Sequence, residues 1–296
     1  MKRTISLLIV LVLVLAMLAG CGKGGKGSSA AKDTTVMAMS FKVPNGWVTV
    51  ERFTEKKTDG SLVEKDLKYN FEDESFIGYA FVSGRVLSEL TDVSKLETVE
   101  KNGTTWYLIT SGTTHAAFAQ KDKDLYGIQY DTGNGDKENT KPLDDAIASV
   151  KFGKESKTDT DEIELSGIKY DTKKAGDVIS YSIDREEDTK GNLKVFSVQW
   201  SFGKDDTTDY RFLIEYNKDA KIEDILDPDR TYEDDKVGGK DCKVRKDSSG
   251  NVIEYIVQSG KDVYCIMNNG KSSWLGVTRT DESKEKFTEF VGSIKF

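Results

Sequence analysis

The 296-residue chain contains one histidine, three cysteines and three prolines. A single histidine, His115, and the lack of any Cys-x-x-Cys pair leave no zinc-ligand set with the usual spacing. A Gly-x-Ser-x-Gly elbow, a P-loop and a dinucleotide fingerprint are missing as well. No catalytic residue, metal or cofactor therefore follows from a motif. Basic charge is in deficit, with 43 Lys and Arg against 51 Asp and Glu and a net charge of −8. Nucleic acid demands a basic face, so it is not an expected partner. Long apolar runs are also scarce: Ile5 to Leu18 is broken only by Ser6 and falls short of the roughly 20 residues a spanning helix needs.

That run nevertheless has a reading. Lys2 and Arg3 precede it and small residues follow, which together make a secretory signal peptide over residues 1–20. Leu18-Ala19-Gly20-Cys21 resembles the bacterial lipobox. The resemblance implies a diacylglycerated thiol, cleavage after Gly20 and Cys21 as the mature N-terminus. The chain is then expected on the extracytoplasmic side of the cell membrane, held by acyl chains on Cys21. Each buried CH₂ contributes roughly 0.8 kcal/mol, so two or three chains suffice. Cleavage leaves 296 − 20 = 276 residues and, with Lys2 and Arg3 gone, a charge of −10. Residues 21–35 form a tether. Its Gly/Ser/Lys-rich stretch Gly22–Thr35 spans about 20 Å as a flexible coil.

Beyond residue 35 the pattern is sheet-like, rich in Tyr, Phe, Val and Ile. Strands are expected over Met37–Val43, Trp47–Val50, Leu67–Phe71, Phe76–Val82, Thr105–Thr110, His115–Gln120 and Leu125–Tyr130. A short helix fits Arg85–Asp92, and Leu143, Ile147 and Val150 recur at helical spacing after Pro142. Residues 154–161 are polar and read as a linker. A second unit repeats the first, with strands at Lys194–Trp200, Tyr210–Tyr216, Asp241–Arg245, Val252–Gln258 and Asp262–Met267. Ile222–Leu226 matches the first short helix, and Phe287, Val291 and Ile294 match the last one. Three matches recur in the same order. Lys123-Asp124-Leu125-Tyr126-Gly127-Ile128 aligns with Lys261-Asp262-Val263-Tyr264-Cys265-Ile266. Ser149-Val150-Lys151-Phe152 aligns with Ser293-Ile294-Lys295-Phe296, and Gly103 before Trp106 and Leu108 with Gly239 before Cys242 and Val244. The expectation is an α+β chain of two tandem domains, 36–153 and 162–296, each an antiparallel sheet flanked by short helices.

Phe41-Lys42-Val43-Pro44-Asn45-Gly46-Trp47 and the helix ending in Ser-Val/Ile-Lys-Phe resemble the PsbP-like family, which is related to the Mog family. The second unit lacks the Pro-x-Gly-Trp element and has Ile168-Lys169-Tyr170-Asp171 with Ala175-Gly176 instead. The resemblance implies a fold and a habit of binding other proteins, and it supplies no catalytic residues.

Site candidates are few. His115 reads as a structural or surface residue. Asp131-Thr132-Gly133-Asn134-Gly135-Asp136-Lys137-Glu138 gathers oxygen ligands as a calcium loop would, but departs from the EF-hand spacing and reads as a solvated hairpin connection. Asp227-Pro228-Asp229 with Glu233-Asp234-Asp235 is a second acidic cluster, expected to face water. Trp274, in a stretch longer than its counterpart in the first unit, is a possible partner-binding anchor. Cys242 and Cys265 fall on strands either side of Val252–Gln258. They are expected as free thiols, because strands two apart are separated by roughly 9.5 Å and a disulfide needs Cα atoms within about 7 Å. The PsbP-like resemblance, together with the lack of catalytic signatures, implies an anchored, non-catalytic binding or assembly module with a protein partner. An extracytoplasmic enzyme using paired carboxylates and a solute-binding lipoprotein are the alternatives.

Overall fold

The computed structural model describes residues 33–154, 165, 167–204, 207–273 and 276–296. Cys21, the tether up to residue 32 and residues 155–161 of the expected linker lie outside them. Two compact units result, the first bounded by Met1–Thr54, Leu62–Thr160 and Glu186–Asn192. The second is bounded by Glu55–Ser61, Asp161–Arg185 and Leu193–Phe296.

The first unit contains β1 (Asp33–Val36), β2 (Met39–Lys42), β3 (Thr49–Lys57) up to Thr54, β4 (Leu62–Asn70), β5 (Phe76–Val82), β6 (Glu97–Lys101), β7 (Thr104–Ser111), β8 (Thr114–Lys121), β9 (Asp124–Asp131) and β10 (Lys151–Phe152). Its main sheet runs β3-β4-β5-β9-β8-β7-β6, and β1-β2-β10 make a small second sheet. Alternation sorts the faces: Ile77, Tyr79 and Phe81 on β5 point into the core with Tyr126, Ile128 and Tyr130 from β9. Helix Lys141–Ser149 closes that face with Leu143, Ala146 and Ile147. On the other face the single-turn helix Leu87–Leu90 covers Ala116, Phe118 and Leu125.

The second unit contains β11 (Val178–Asp188) up to Arg185, β12 (Leu193–Lys204), β13 (Thr207–Asn217), β14 (Glu233–Val237), β15 (Lys240–Lys246), β16 (Val252–Ser259), β17 (Asp262–Ser273) and β18 (Gly276–Thr278). Its order, β11-β12-β13-β17-β16-β15-β14, is that of the first unit. Helix Ile222–Ile225 takes the place of Leu87–Leu90, and helix Asp281–Gly292 that of Lys141–Ser149. Its core is strongly aromatic. Phe212 is fully buried, with ring centroids 5.1 to 5.6 Å from those of Phe202, Tyr210, Phe287 and Phe290.

The repeated residues do the same work in each unit. Ser149 Oγ donates to the Ala146 carbonyl at 2.8 Å and accepts from the Lys42 N–H at 3.4 Å. Ser293 Oγ donates to Phe290 at 2.6 Å and accepts from Asp171 at 3.0 Å. One hydroxyl thus bonds a carbonyl of the last helical turn and ties the chain segment of Lys42 or Asp171 to the helix end. Lys151 then pairs with Ser40, and Lys295 with Lys169. Phe152 and Phe296 meet Tyr126 and Tyr264 edge-on at 5.0 and 5.5 Å. Gly103 and Gly239 sit at φ +73° and +79° in the two-residue turns β6–β7 and β14–β15, where a side chain would be strained. A further equivalence, Gln120 and Gln258, went unread in the sequence. Gln120 Oε1 accepts from the Leu87 N–H at 2.9 Å while its Nε2 donates to Arg85 O at 3.1 Å. Gln258 does the same with Ile222 and Ala220 at 3.2 and 3.1 Å.

The expected α+β class is corrected. Among the described residues strands account for 53% and helices for 14%, so the fold is mainly β. Fifteen strands stand in antiparallel sheet order, not in sheets layered with helices. The helical signal at Arg85–Asp92 yields only the turn Leu87–Leu90, too short to form a layer. Meanwhile β6 and β14 are charge-rich strands (Glu97-Thr-Val-Glu-Lys101, for example) that apolar alternation does not reveal. Met37–Val43 is also not one strand. Met37 adopts φ +52° and turns β1 back on β2.

Cys242 lies opposite Val257, and Val257 opposite Tyr264, whereas Cys265 lies opposite Ile256. The two thiols therefore flank β16 and leave opposite faces of the sheet, one into the main core and one under Ile222–Ile225. Both are free and buried. Burial pushes the Cys242 thiol up to about 11 and the Cys265 thiol well above its ordinary value. Since the thiolate is the nucleophile, neither should react with a disulfide reagent at pH 8 in the folded chain, and both should react in denaturant without a reductant. Rapid native labelling, or labelling only after reduction, would contradict this placement.

Candidate functional site

A cavity of about 760 Å³ opens in the first unit between helix Lys141–Ser149 and the strand ends beneath it. Three pieces of chain shape it. The loop Pro44-Asn45-Gly46 follows β2 and reverses at Gly46, φ +85°. The β4–β5 turn, Phe71 to Ser75, is held by Asp73 Oδ1, which accepts from Ser75 N at 3.1 Å and from Ser75 Oγ at 2.5 Å. The third is the first turn of the helix, started by Pro142, whose missing N–H costs nothing there.

The floor is apolar and aromatic. Ile77 and Tyr79 rise from β5 and Tyr130 from β9, with Val43, Phe71 and Ala146 beside them. Phe41 stacks on Tyr79 at 3.5 Å, and Tyr69 presents an edge to Trp47 at 5.6 Å and to Tyr79 at 6.3 Å. Burial, then the charges of Asp73 and Asp131, raise the Tyr130 hydroxyl above its ordinary range. Burial does the same to Tyr79. Both hydroxyls are therefore neutral hydrogen-bonding groups at physiological pH. The rim carries both signs: Lys42, Lys141, Glu72, Asp73 and Asp145. Lys141 and Asp145 pair with one another one helical turn apart.

The acidic loop Asp131–Glu138 lies next to this cavity, and hydrogen bonds hold its Asp131 and Asp136 carboxylates. Asp131 Oδ2 accepts from the Thr113 and Thr114 hydroxyls at 3.1 and 2.7 Å, and its Oδ1 from Gly133 N at 2.9 Å. Asp136 Oδ1 accepts from Glu138 N at 3.1 Å. A Cβ on Gly133 would meet the Glu74–Ser75 backbone at 2.6 Å, so only glycine lets the loop reach the β4–β5 turn. His115 is buried and staples the same loop, with Nε2 against Lys137 O at 2.7 Å and Nδ1 against Thr110 Oγ1 at 3.2 Å. It is a structural residue. The second acidic cluster includes the exposed strand β14, where Asp234 pairs with Lys243 at 2.7 Å and Glu233 with Lys246 at 2.6 Å. Among the described residues no group of three or more His, Cys, Asp or Glu side chains is placed to hold a metal.

Of the residues singled out in the sequence, Cys21 and Trp274 lie outside the described residues; β17 ends at Ser273 and β18 begins at Gly276. The cavity residues Ile77, Tyr79, Tyr130 and Ala146 read in sequence only as strand and helix positions. The available signal was Ala146, which the Ser-Val/Ile-Lys-Phe match sets against Phe290.

No protein-family model and no curated protein sequence matches the chain. Two solved structures align over most of its length. The first is an immunity protein, TplEi of the type VI secretion system of Pseudomonas aeruginosa, complexed with a peptide. It is 11% identical over 91% of this chain and 99% of that one, with a TM-score of 0.25. The second is MucB in complex with MucA(peri), 10% identical over 84% and 93% of the two chains, with a TM-score of 0.18. Scores this low support no statement about fold or activity. No helix among the described residues is long and apolar enough to cross a membrane.

Proposed function

We propose that the chain is a lipoprotein held by acyl chains on Cys21 at the extracytoplasmic face of the cell membrane, where it acts as a non-catalytic binding module. The observation behind the binding role is the first unit's cavity. It falls within the few hundred to a thousand Å³ usual for ligand sites and has an apolar floor with a few polar groups at the mouth. Of the carboxylates on its rim, Asp73 accepts from Ser75 and Asp145 pairs with Lys141. The resemblance of Phe41–Trp47 to the PsbP-like family belongs to the same reading. A solute-binding lipoprotein with two α/β lobes is not favoured, because both units are antiparallel sheet.

The test takes full-length protein from native envelopes. The mature N-terminus should be acylated Cys21, and Cys21→Ala should leave the membrane fraction. Native mass spectrometry should find a co-purifying mass that Ala146→Phe loses. A mature N-terminus elsewhere, a Cys21→Ala protein still held at the membrane, or an adduct indifferent to Ala146→Phe would overturn the proposal.

A further inference from the structure

Resting on that binding role, we infer that the cavity of the first unit receives a small, uncharged aromatic molecule, in the place that the second unit fills with its own rings.

The inference comes from overlaying two copies of one topology. The strand registers fix the equivalences. Tyr79 pairs with Ile128 as Ile214 pairs with Ile266, and Ile77 with Tyr130 as Phe212 with Asn268. The helices are aligned by Ser149 and Ser293, whose hydroxyls bond the carbonyls of Ala146 and Phe290. Two groups bordering the cavity then have aromatic counterparts, Ala146 in Phe290 and Ile77 in Phe212, whereas Tyr79 and Tyr130 have Ile214 and Asn268 as theirs. In the second unit these rings are buried and mutually packed, Phe212 with Phe290 at 5.6 Å and with Tyr210 at 5.2 Å. Tyr210 also donates its hydroxyl to Ala175 O at 2.6 Å, drawing the loop after Tyr170 onto the core. The matching loop, Pro44-Asn45-Gly46, instead lines an open space of about 760 Å³.

The same backbone frame thus accepts aromatic rings at these positions, and aromatic walls at Tyr79, Tyr130 and Phe71 remain to pack against them. The rim mixes Lys42 and Lys141 with Glu72, Asp73 and Asp145, which selects no strong charge of either sign. Asn45, Ser149 and the Tyr130 hydroxyl offer hydrogen bonds that would orient a ring substituent.

The experiment uses the full chain and N-phenyl-1-naphthylamine, a neutral aromatic whose fluorescence rises in apolar sites. Saturable binding of one probe per chain is expected. Ala146→Phe and Ile77→Phe, which install the rings of the second unit, should each weaken it at least about tenfold by occupying the space. The exposed Glu223→Gln serves as control and should bind as the parent does. Independently of any variant, photolabelling the unaltered chain with 1-azidonaphthalene should modify peptides containing Tyr79, Tyr130 or Pro142. No saturable binding, labels only elsewhere, or cooperatively folding Ala146→Phe and Ile77→Phe proteins that bind normally would overturn the inference. If the probe fails while the native co-purifying mass is still lost in Ala146→Phe, the binding role stands and the aromatic class falls.

Discussion

Phe212→Ala should be the most damaging single truncation in the second unit, lowering its stability by about 3–5 kcal/mol. Phe212 is fully buried at the centre of β13, and four rings surround it, so its removal leaves a hole with stiff walls. Trp200 and Tyr170 already pack against Phe290 at 5.9 and 6.4 Å and are not free to fill that hole. Since small domains are stable by only about 5–15 kcal/mol, much of the margin would go. Hydrogen exchange by mass spectrometry reads this locally: amides of β12, β13 and β17 should lose protection together. A loss below about 1 kcal/mol would show that the cluster collapses inward, contrary to its tight packing.

Lys68→Met should cost the first unit about 3–5 kcal/mol at neutral pH, because it strands a buried carboxylate. Lys68 Nζ lies 3.4 Å from Glu51 Oε1 and 4.7 Å from the centroid of the Phe76 ring, and both charged side chains are 6% exposed. Asn70 Nδ2 adds a hydrogen bond to Glu51 at 2.5 Å. Methionine keeps most of the lysine stem and removes only the charge. Burial raises Glu51 above its ordinary 4.5, while Lys68 and Asn70 pull it back. For a carboxyl raised on folding, the favourable contribution is fully present below the unfolded value and is lost as pH climbs through the folded one. Without Lys68 the raise grows, so the penalty should be largest at neutral pH and shrink on acidification. Adding Glu51→Gln should recover much of the loss. Urea titrations of the four proteins across pH check it, and a pH-independent penalty would rule out the charge explanation.

Much of the topology was legible because the repeat falls on residues with fixed structural jobs. The Ser hydroxyls at the helix ends, the turn glycines and the Tyr–Phe contacts all tolerate little change, so they survive as readable matches. The meander around Cys242 and Cys265 was legible for the same reason, through strict alternation of buried positions. What escaped was of two kinds. Strands such as β6 and β14 pair through the backbone while carrying Glu, Asp and Lys, so no hydrophobic period marks them. The helical share was overread, since one turn of apolar spacing at Leu87–Leu90 looks the same in sequence as the start of a longer helix. The cavity is a difference in side-chain volume between aligned positions, Ala146 against Phe290, and becomes visible only once strand register fixes the alignment. Gln120 and Gln258 were overlooked because a polar residue near a strand end carries no distinctive pattern.

The sheet margins have a consequence for molecules kept close to one another. The strand orders terminate at β6 and β14, two short strands with Glu97, Glu100 and Lys101, and Glu233, Asp234, Asp235 and Lys236, exposed along them. A bare margin of backbone donors and acceptors is a template on which a neighbour's strand can add, and lining it with charge is the usual protection. Margins of this kind let copies of the chain meet edge to edge without polymerising into a shared fibre.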